Sequence, residues 1–351
     1  MADPHEKTNN AARLPPAEAA TRPRAAFLLD PEKGAQIYGD DAMAILNECL
    51  DLRPGFIAPA EWPLAMAGLA DVEVAISGWG APSFTRPLLD AMPRLKVVFY
   101  GAGSVKKIVT DAFWERDIAL CCAADANAVA VAEYTVSQVF WLLKDGHRYA
   151  AAMRQNRGRV APWPVTGAYR STVGLVSLSR IGRLVARRLR DGDLRVIAYD
   201  PLASPEDAAR LGARLVPLAE LFQAAHVVSV HTPLLPETRG MIGRGLLGSM
   251  RRGASLINTA RGAVIDQEAL TETLAARPDL FAVLDVTWPE PPPPESILYD
   301  LPNVVLTPHI AGCQDGECRR VGRAIADDVL RYVRGQPLLG AVRRHQLSYI
   351  A

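Results

Sequence analysis

Arg261, Glu290 and His309 are the side chains of this sequence whose types could do chemistry together. A guanidinium presents a planar fork that matches a carboxylate. An imidazole gives or takes a proton near neutral pH, and a carboxylate beside the ring favours the imidazolium form. One anchor and one proton carrier would serve proton transfer on a small substrate that bears a carboxylate. Each residue also has a plainer reading. An arginine after a strand is commonly a surface cation, a glutamate before the prolines 291–294 is commonly loop, and a histidine after Pro308 can simply cap the next segment.

What joins the three is position. Short apolar runs at 173–176, 195–199, 227–230, 255–258, 281–284 and 304–306 alternate with helix-compatible sequence such as 181–190 and 266–276. Continuous apolar strands between helices predict a parallel sheet covered on both faces. In such sheets ligands bind beyond the carboxyl ends of the strands. Arg261 follows the fourth run, Glu290 comes five residues after Asp285 at the end of the fifth, and His309 follows the sixth through Thr307-Pro308. The other run ends are polar too: Ser177-Leu178-Ser179-Arg180-Ile181-Gly182, Asp200, and His231-Thr232-Pro233.

Upstream, strands are expected at 25–29, 72–77, 97–100 and 118–122, and a long helix at 127–148 with Asn127 as its N-cap. A last helix is expected at 314–334, positioned to return to the amino-terminal domain. The 351 residues suit two domains. These are read as 25–126 with 313–351 and 127–312, after a flexible tail at 1–24.

Lysine plus arginine number 39 against 38 acidic residues, a balance with no electrostatic footprint for nucleic acid or an anionic membrane. Pairs such as Arg187-Arg188 read as solvated helix faces. The five cysteines show neither zinc-ribbon nor redox spacing, so no metal site is expected and the thiols read as reduced, in a cytoplasmic protein. The start of the chain lacks the apolar core of a signal peptide, and no stretch is long enough to span a bilayer.

Taken in order, these stretches resemble the D-isomer-specific 2-hydroxyacid dehydrogenases. The likeness is carried by 127–133, 173–182, His231-Thr232-Pro233-Leu234, Ile257-Asn258-Thr259-Ala260-Arg261-Gly262, Leu284-Asp285-Val286 with Pro289-Glu290-Pro291, and Thr307-Pro308-His309-Ile310-Ala311-Gly312. The resemblance implies an α/β fold of two Rossmann-like domains: a flavodoxin-like substrate domain and a six-stranded parallel NAD-binding domain. It implies NAD as cofactor, a small 2-oxo or 2-hydroxy acid as substrate, and a homodimer. It also implies that Arg261 polarises the carbonyl, that Thr232, Pro233, Thr259 and Ala260 line the cofactor, that Asp285 holds the nicotinamide amide, and that His231 is structural nearby. Ala102, Gly103 and Ser104 match a loop whose amides hold the substrate carboxylate in relatives. Trp79 is a candidate substrate contact or a plug of the core. Lys106-Lys107 either favour a doubly anionic substrate or begin a solvated helix. A rival function on the same fold is a non-catalytic NAD(H)-sensing scaffold, as in the carboxy-terminal binding protein corepressors.

One departure stands out. The phosphate turn of a dinucleotide fold reads G-x-G-x-x-G, the glycines serving the tight turn, the approach to pyrophosphate and close helix packing. Here those positions hold Ser177, Ser179 and Gly182. Amides of the following helix, the serine hydroxyls, Arg180 and Ile181 remain to meet a phosphate. Asp200, about 20 residues on, is placed to accept ribose hydroxyls, which predicts NAD over NADP.

Overall fold

The computed structural model describes residues 22–58, 61 and 65–348. Most of the expected tail, 1–21, lies outside the described residues. The chain divides into two compact units: Met1–Asn127 with Asp315–Leu347, and Ala128–Gln314 with Ser348–Ala351.

In the first unit, strands β1 (Arg24–Leu28), β2 (Asp51–Ile57), β3 (Val74–Gly78), β4 (Val97–Gly101) and β5 (Ala119–Cys122) run parallel in the order β2-β1-β3-β4-β5. That is the flavodoxin-like order. Strand β2 was not expected, because Pro54-Gly55 reads as a breaker. It survives because it is an edge strand, where a missing ladder N–H is tolerated, and the register slips between Ala25 and Phe27 opposite it.

The second unit holds β6 (Thr172–Val176), β7 (Arg195–Tyr199), β8 (Ala213–Leu215), β9 (Val227–Val230), β10 (Ser255–Asn258), β11 (Phe281–Leu284) and β12 (Val304–Leu306). All are parallel, in the order β12-β11-β10-β9-β6-β7-β8. The expected six-stranded sheet is therefore seven-stranded among the described residues. The missed strand, β8, is a three-residue edge centred on exposed Arg214, too short and too polar to read as an apolar run.

Side chains of successive strand residues alternate between two cores. Val228, Val230, Leu256, Ala282 and Leu284 pack on one face with Leu247 and Leu270. Val227, Ile257, Phe281 and Val283 pack on the other with Val185 and Leu189. Period-two alternation between two apolar layers is what a doubly covered sheet demands. Each buried Leu or Val contributes roughly 1.5–3 kcal/mol against exposure. The helix Arg180–Leu189 shows the matching pattern, burying Val185, Ala186 and Leu189. Arg187 is solvated as expected, while Arg188 reaches Glu133 at 3.3 Å.

The helix expected at 127–148 is instead two. The first runs Ala124–Leu143, because the helix formers ahead of Asn127 extend it and the Asn127 N–H already donates to Ala123 O at 3.1 Å. It stops where Asp145 takes a left-handed φ of 53°, and Gly146–Asn156 follows. The last helix is Cys318–Val333, preceded by a 3₁₀ turn at Asp315–Glu317. It packs in the first unit against the helix Asp40–Cys49 and β4. Strand β13 (Ala341–Val342) then pairs antiparallel with β5. Buried Asp328 of that helix holds the return, accepting from Leu339 N and Gly340 N at 2.8 Å each and from the Cys121 thiol at 3.1 Å. Burial, then the Asp328 charge, pushes the Cys121 thiol well up. All five cysteines are buried thiols outside any disulfide.

Candidate active site

Strands β10, β11 and β12 end level. Asn258 pairs with Leu284, and Leu284 with Leu306. The residues that follow, Thr259, Asp285 and Thr307, therefore leave the sheet side by side along one edge. Arg261, Glu290 and His309 follow on the loops beyond.

His309 Nδ1 and Glu290 Oε1 are 2.7 Å apart, with both side chains about half exposed, 48% and 40%. The ring is set by backbone. His309 adopts φ of 56°, and its N–H donates to Asp285 O and Thr307 O at 3.0 and 2.9 Å. Such a φ costs a non-glycine residue on the order of 1 kcal/mol and persists where neighbours enforce it. The enforcer is Asp285, 1% exposed. Its Oδ1 accepts from Thr307 Oγ1 at 2.6 Å and Ile310 N at 2.8 Å, and its Oδ2 from Ala311 N at 2.9 Å. Asp285 thus moulds the turn that carries His309, a role the sequence reading did not assign to it.

Arg261 is partly buried. Burial draws its guanidinium pKa down, while the charge of Glu290 opposes that shift. Its Nη1 donates to Ala260 O at 2.6 Å. Asn258 braces this loop from within, accepting from Ala260 N at 3.0 Å and donating to Arg261 O at 3.2 Å. Asn258 was missed as a positioning residue, although an asparagine closing an apolar strand is a signal for such a local turn. Gly262 is equally specific: a Cβ there would lie 2.0 Å from the backbone of Thr287. Only glycine lets the loop after β10 pass that close to the loop after β11. Beside Glu290, exposed Trp288 receives the Arg239 guanidinium 5.2 Å from its ring centre.

At the other side of the sheet centre, Ser177 ends β6 with φ of 82°. Its hydroxyl donates to Asp200 Oδ2 at 3.1 Å and accepts from Ser179 N at 3.1 Å. Asp200 Oδ2 also accepts from Leu178 N at 2.7 Å, and Oδ1 from Leu202 N and Ala203 N at 2.8 and 3.2 Å. Ser179 Oγ donates to His231 O at 2.8 Å. Both serine hydroxyl protons, offered by the sequence to a phosphate, are therefore given to the protein. Arg180 and Ile181 open the ten-residue helix. A Cβ on Gly182 would sit 2.1 Å from Ser177 O, so the third glycine keeps its packing role.

His231 is 3% exposed, with Nε2 3.0 Å from Ser229 Oγ and Nδ1 unpartnered, and burial lowers its pKa to about 3. Thr232 Oγ1 donates to Val176 O at 3.1 Å, tying the ends of β6 and β9, with Pro233 next. Thr259 Oγ1 lies 3.3 Å from Thr135 Oγ1, both buried. The strand-end carboxylate, the tight third glycine and the ten-residue helix starting beyond β6 fit an NAD dinucleotide.

In the first unit, half-buried Trp79 follows β3, and Ala102, Gly103 and Ser104 follow β4. Ala102 N donates to Tyr100 O at 2.8 Å. Lys106 and Lys107 are exposed in a turn, not a helix start. Among the described residues no cluster of three His, Cys, Asp or Glu could hold a metal, and no helix is long and apolar enough to cross a membrane.

Fold and site together define a nucleotide-binding α/β protein with an imidazole–carboxylate pair at its strand ends. The family model for the D-isomer specific 2-hydroxyacid dehydrogenase, NAD binding domain, matches residues 136–311, half of the chain, and the chain belongs to that family. It is 31% identical over 255 residues to a D-3-phosphoglycerate dehydrogenase of Archaeoglobus fulgidus, covering 73% of this chain and 48% of that protein. The chain thus spans about half the length of the curated relatives it matches. Among solved structures, an apo D-mandelate dehydrogenase of Rhodotorula graminis aligns with a TM-score of 0.77 and 26% identity, over 92% of this chain and 98% of that one. A D-isomer specific 2-hydroxyacid dehydrogenase of Xanthobacter autotrophicus, in complex with NADPH and MES, aligns at 0.72 and 26%, over 93% and 100%.

Proposed function

We propose that this protein interconverts a small 2-oxo acid and its D-2-hydroxy acid with NAD as cofactor. The observation that carries the reading is the 2.7 Å His309 Nδ1–Glu290 Oε1 pair, with a partly buried Arg261 whose charge Glu290 feels. With Nδ1 donating to Glu290, Nε2 is the nitrogen left to face substrate. In reduction it gives a proton to the carbonyl oxygen, and in oxidation it takes the proton from the hydroxyl. Glu290 holds the ring in place and balances the imidazolium charge. Arg261 binds the substrate carboxylate and polarises the carbonyl. Its burial strengthens that contact, since an ion pair gains as water is withdrawn. When bound, the nicotinamide supplies or accepts the hydride. Thr232, Pro233, Thr259 and Ala260 line its site, and Asp200 faces the ribose. The Asp200 charge repels a 2′-phosphate, which favours NAD over NADP. Trp79, Ala102, Gly103 and Ser104 are the substrate-side contacts in this reading.

The test is NADH consumption over glyoxylate, hydroxypyruvate, pyruvate, oxaloacetate, phosphohydroxypyruvate and phenylpyruvate. At least one should be reduced to its D-hydroxy acid, faster with NADH than with NADPH. A protein that binds NADH and turns over none of them would instead be a sensor, and one that binds no NADH would overturn the cofactor assignment.

A further inference from the structure

The Ser177 hydroxyl sits where two parts of a dinucleotide would make their contacts. A ribose hydroxyl would donate to the strand-end carboxylate, and Ser177 Oγ donates to Asp200 Oδ2 at 3.1 Å. A phosphate oxygen would accept from an amide of the turn, and Ser177 Oγ accepts from Ser179 N at 3.1 Å. The carboxylate has no acceptor capacity to spare. Its four contacts come from Ser177 Oγ, Leu178 N, Leu202 N and Ala203 N, against about four lone-pair sites on an ionised carboxylate. Three of those donors are backbone amides fixed by the turns they belong to. The Ser177 hydroxyl alone can leave by a side-chain rotation.

We infer that Ser177 is an internal competitor for the dinucleotide, filling the ribose acceptor on Asp200 and the phosphate donor at Ser179 N, and so sets the cofactor affinity of this chain. Binding exchanges one set of hydrogen bonds for another rather than adding new ones, and only the difference counts toward affinity. The conformation of Ser177 supports the assignment. A φ of 82° disfavours any side chain, and Ser177 adopts it with its hydroxyl bonded on both sides, to Asp200 and to Ser179 N. Ser179 does not share the role, because its hydroxyl is turned away to His231 O.

The inference rests on the dinucleotide reading above, and calorimetric titration with ADP-ribose separates the two without any turnover. Ser177→Ala removes the hydroxyl and keeps the Cβ, whereas Ser177→Gly also frees the backbone. Each should bind ADP-ribose roughly ten- to 150-fold more tightly than the parent, the range expected for recovering one charge-assisted hydrogen bond. NADH fluorescence titration should move in the same direction. Equal or weaker binding by both variants, with the parent binding measurably, overturns the competitor role and leaves the dinucleotide reading intact. No binding of ADP-ribose or NADH by parent or variants overturns both.

Discussion

His231 lies at the end of β9 with its ring enclosed and Nδ1 without a partner, and burial lowers its pKa to about 3. The unfolded chain takes that proton near pH 6.5, whereas the folded chain resists it. A depressed pKa of this sign means that the stability contribution is fully present above about pH 6.5 and is lost as pH falls toward 3. The predicted loss is roughly 3 kcal/mol by pH 4. Urea midpoints should therefore fall more steeply between pH 6.5 and 4 in the parent than in His231→Gln, and parallel curves would contradict the prediction. At this scale the sequence was partly legible. Arg261, Glu290 and His309 could be nominated jointly, from their order after three apolar runs together with the family resemblance, whereas Glu290 alone reads as loop. Which acceptor a hydroxyl chooses was not legible. Asp285 turning back to Ile310 and Ala311, and Ser177 turning to Asp200, depend on neighbours that only the folded sheet brings together.

At the scale of elements, what positions the chemistry is the level ending of β10, β11 and β12 and the close passage of their loops. Gly262 is the tightest point of that passage. Gly262→Ala should push the Arg261 loop from Thr287, lower the melting temperature in line with about 1–3 kcal/mol of overpacking, and raise KM for the 2-oxo acid. Unchanged stability and KM would show that the loop relaxes freely. The strongly apolar strands were readable because both faces are covered, so their composition is apolar throughout. Edge strands β2 and β8 escaped notice for the opposite reason. One carries Pro54-Gly55, the other Arg214, and edges tolerate both. The long helix was misplaced at both ends, since alanines before Asn127 extend it and the Asp145-Gly146 turn signal that stops it was read through.

For the molecule as a whole, the sheet of the first unit is parallel except for the short antiparallel β13, and that of the second is parallel throughout and matches the family over residues 136–311. Function then turns on whether one imidazole moves the proton. The most direct measurement is steady-state turnover of His309→Gln beside its NADH titration, using whichever 2-oxo acid the parent reduces. NADH binding should stay within a few-fold of the parent while kcat falls by ~10²–10⁴. Full turnover by His309→Gln would contradict proton transfer by His309.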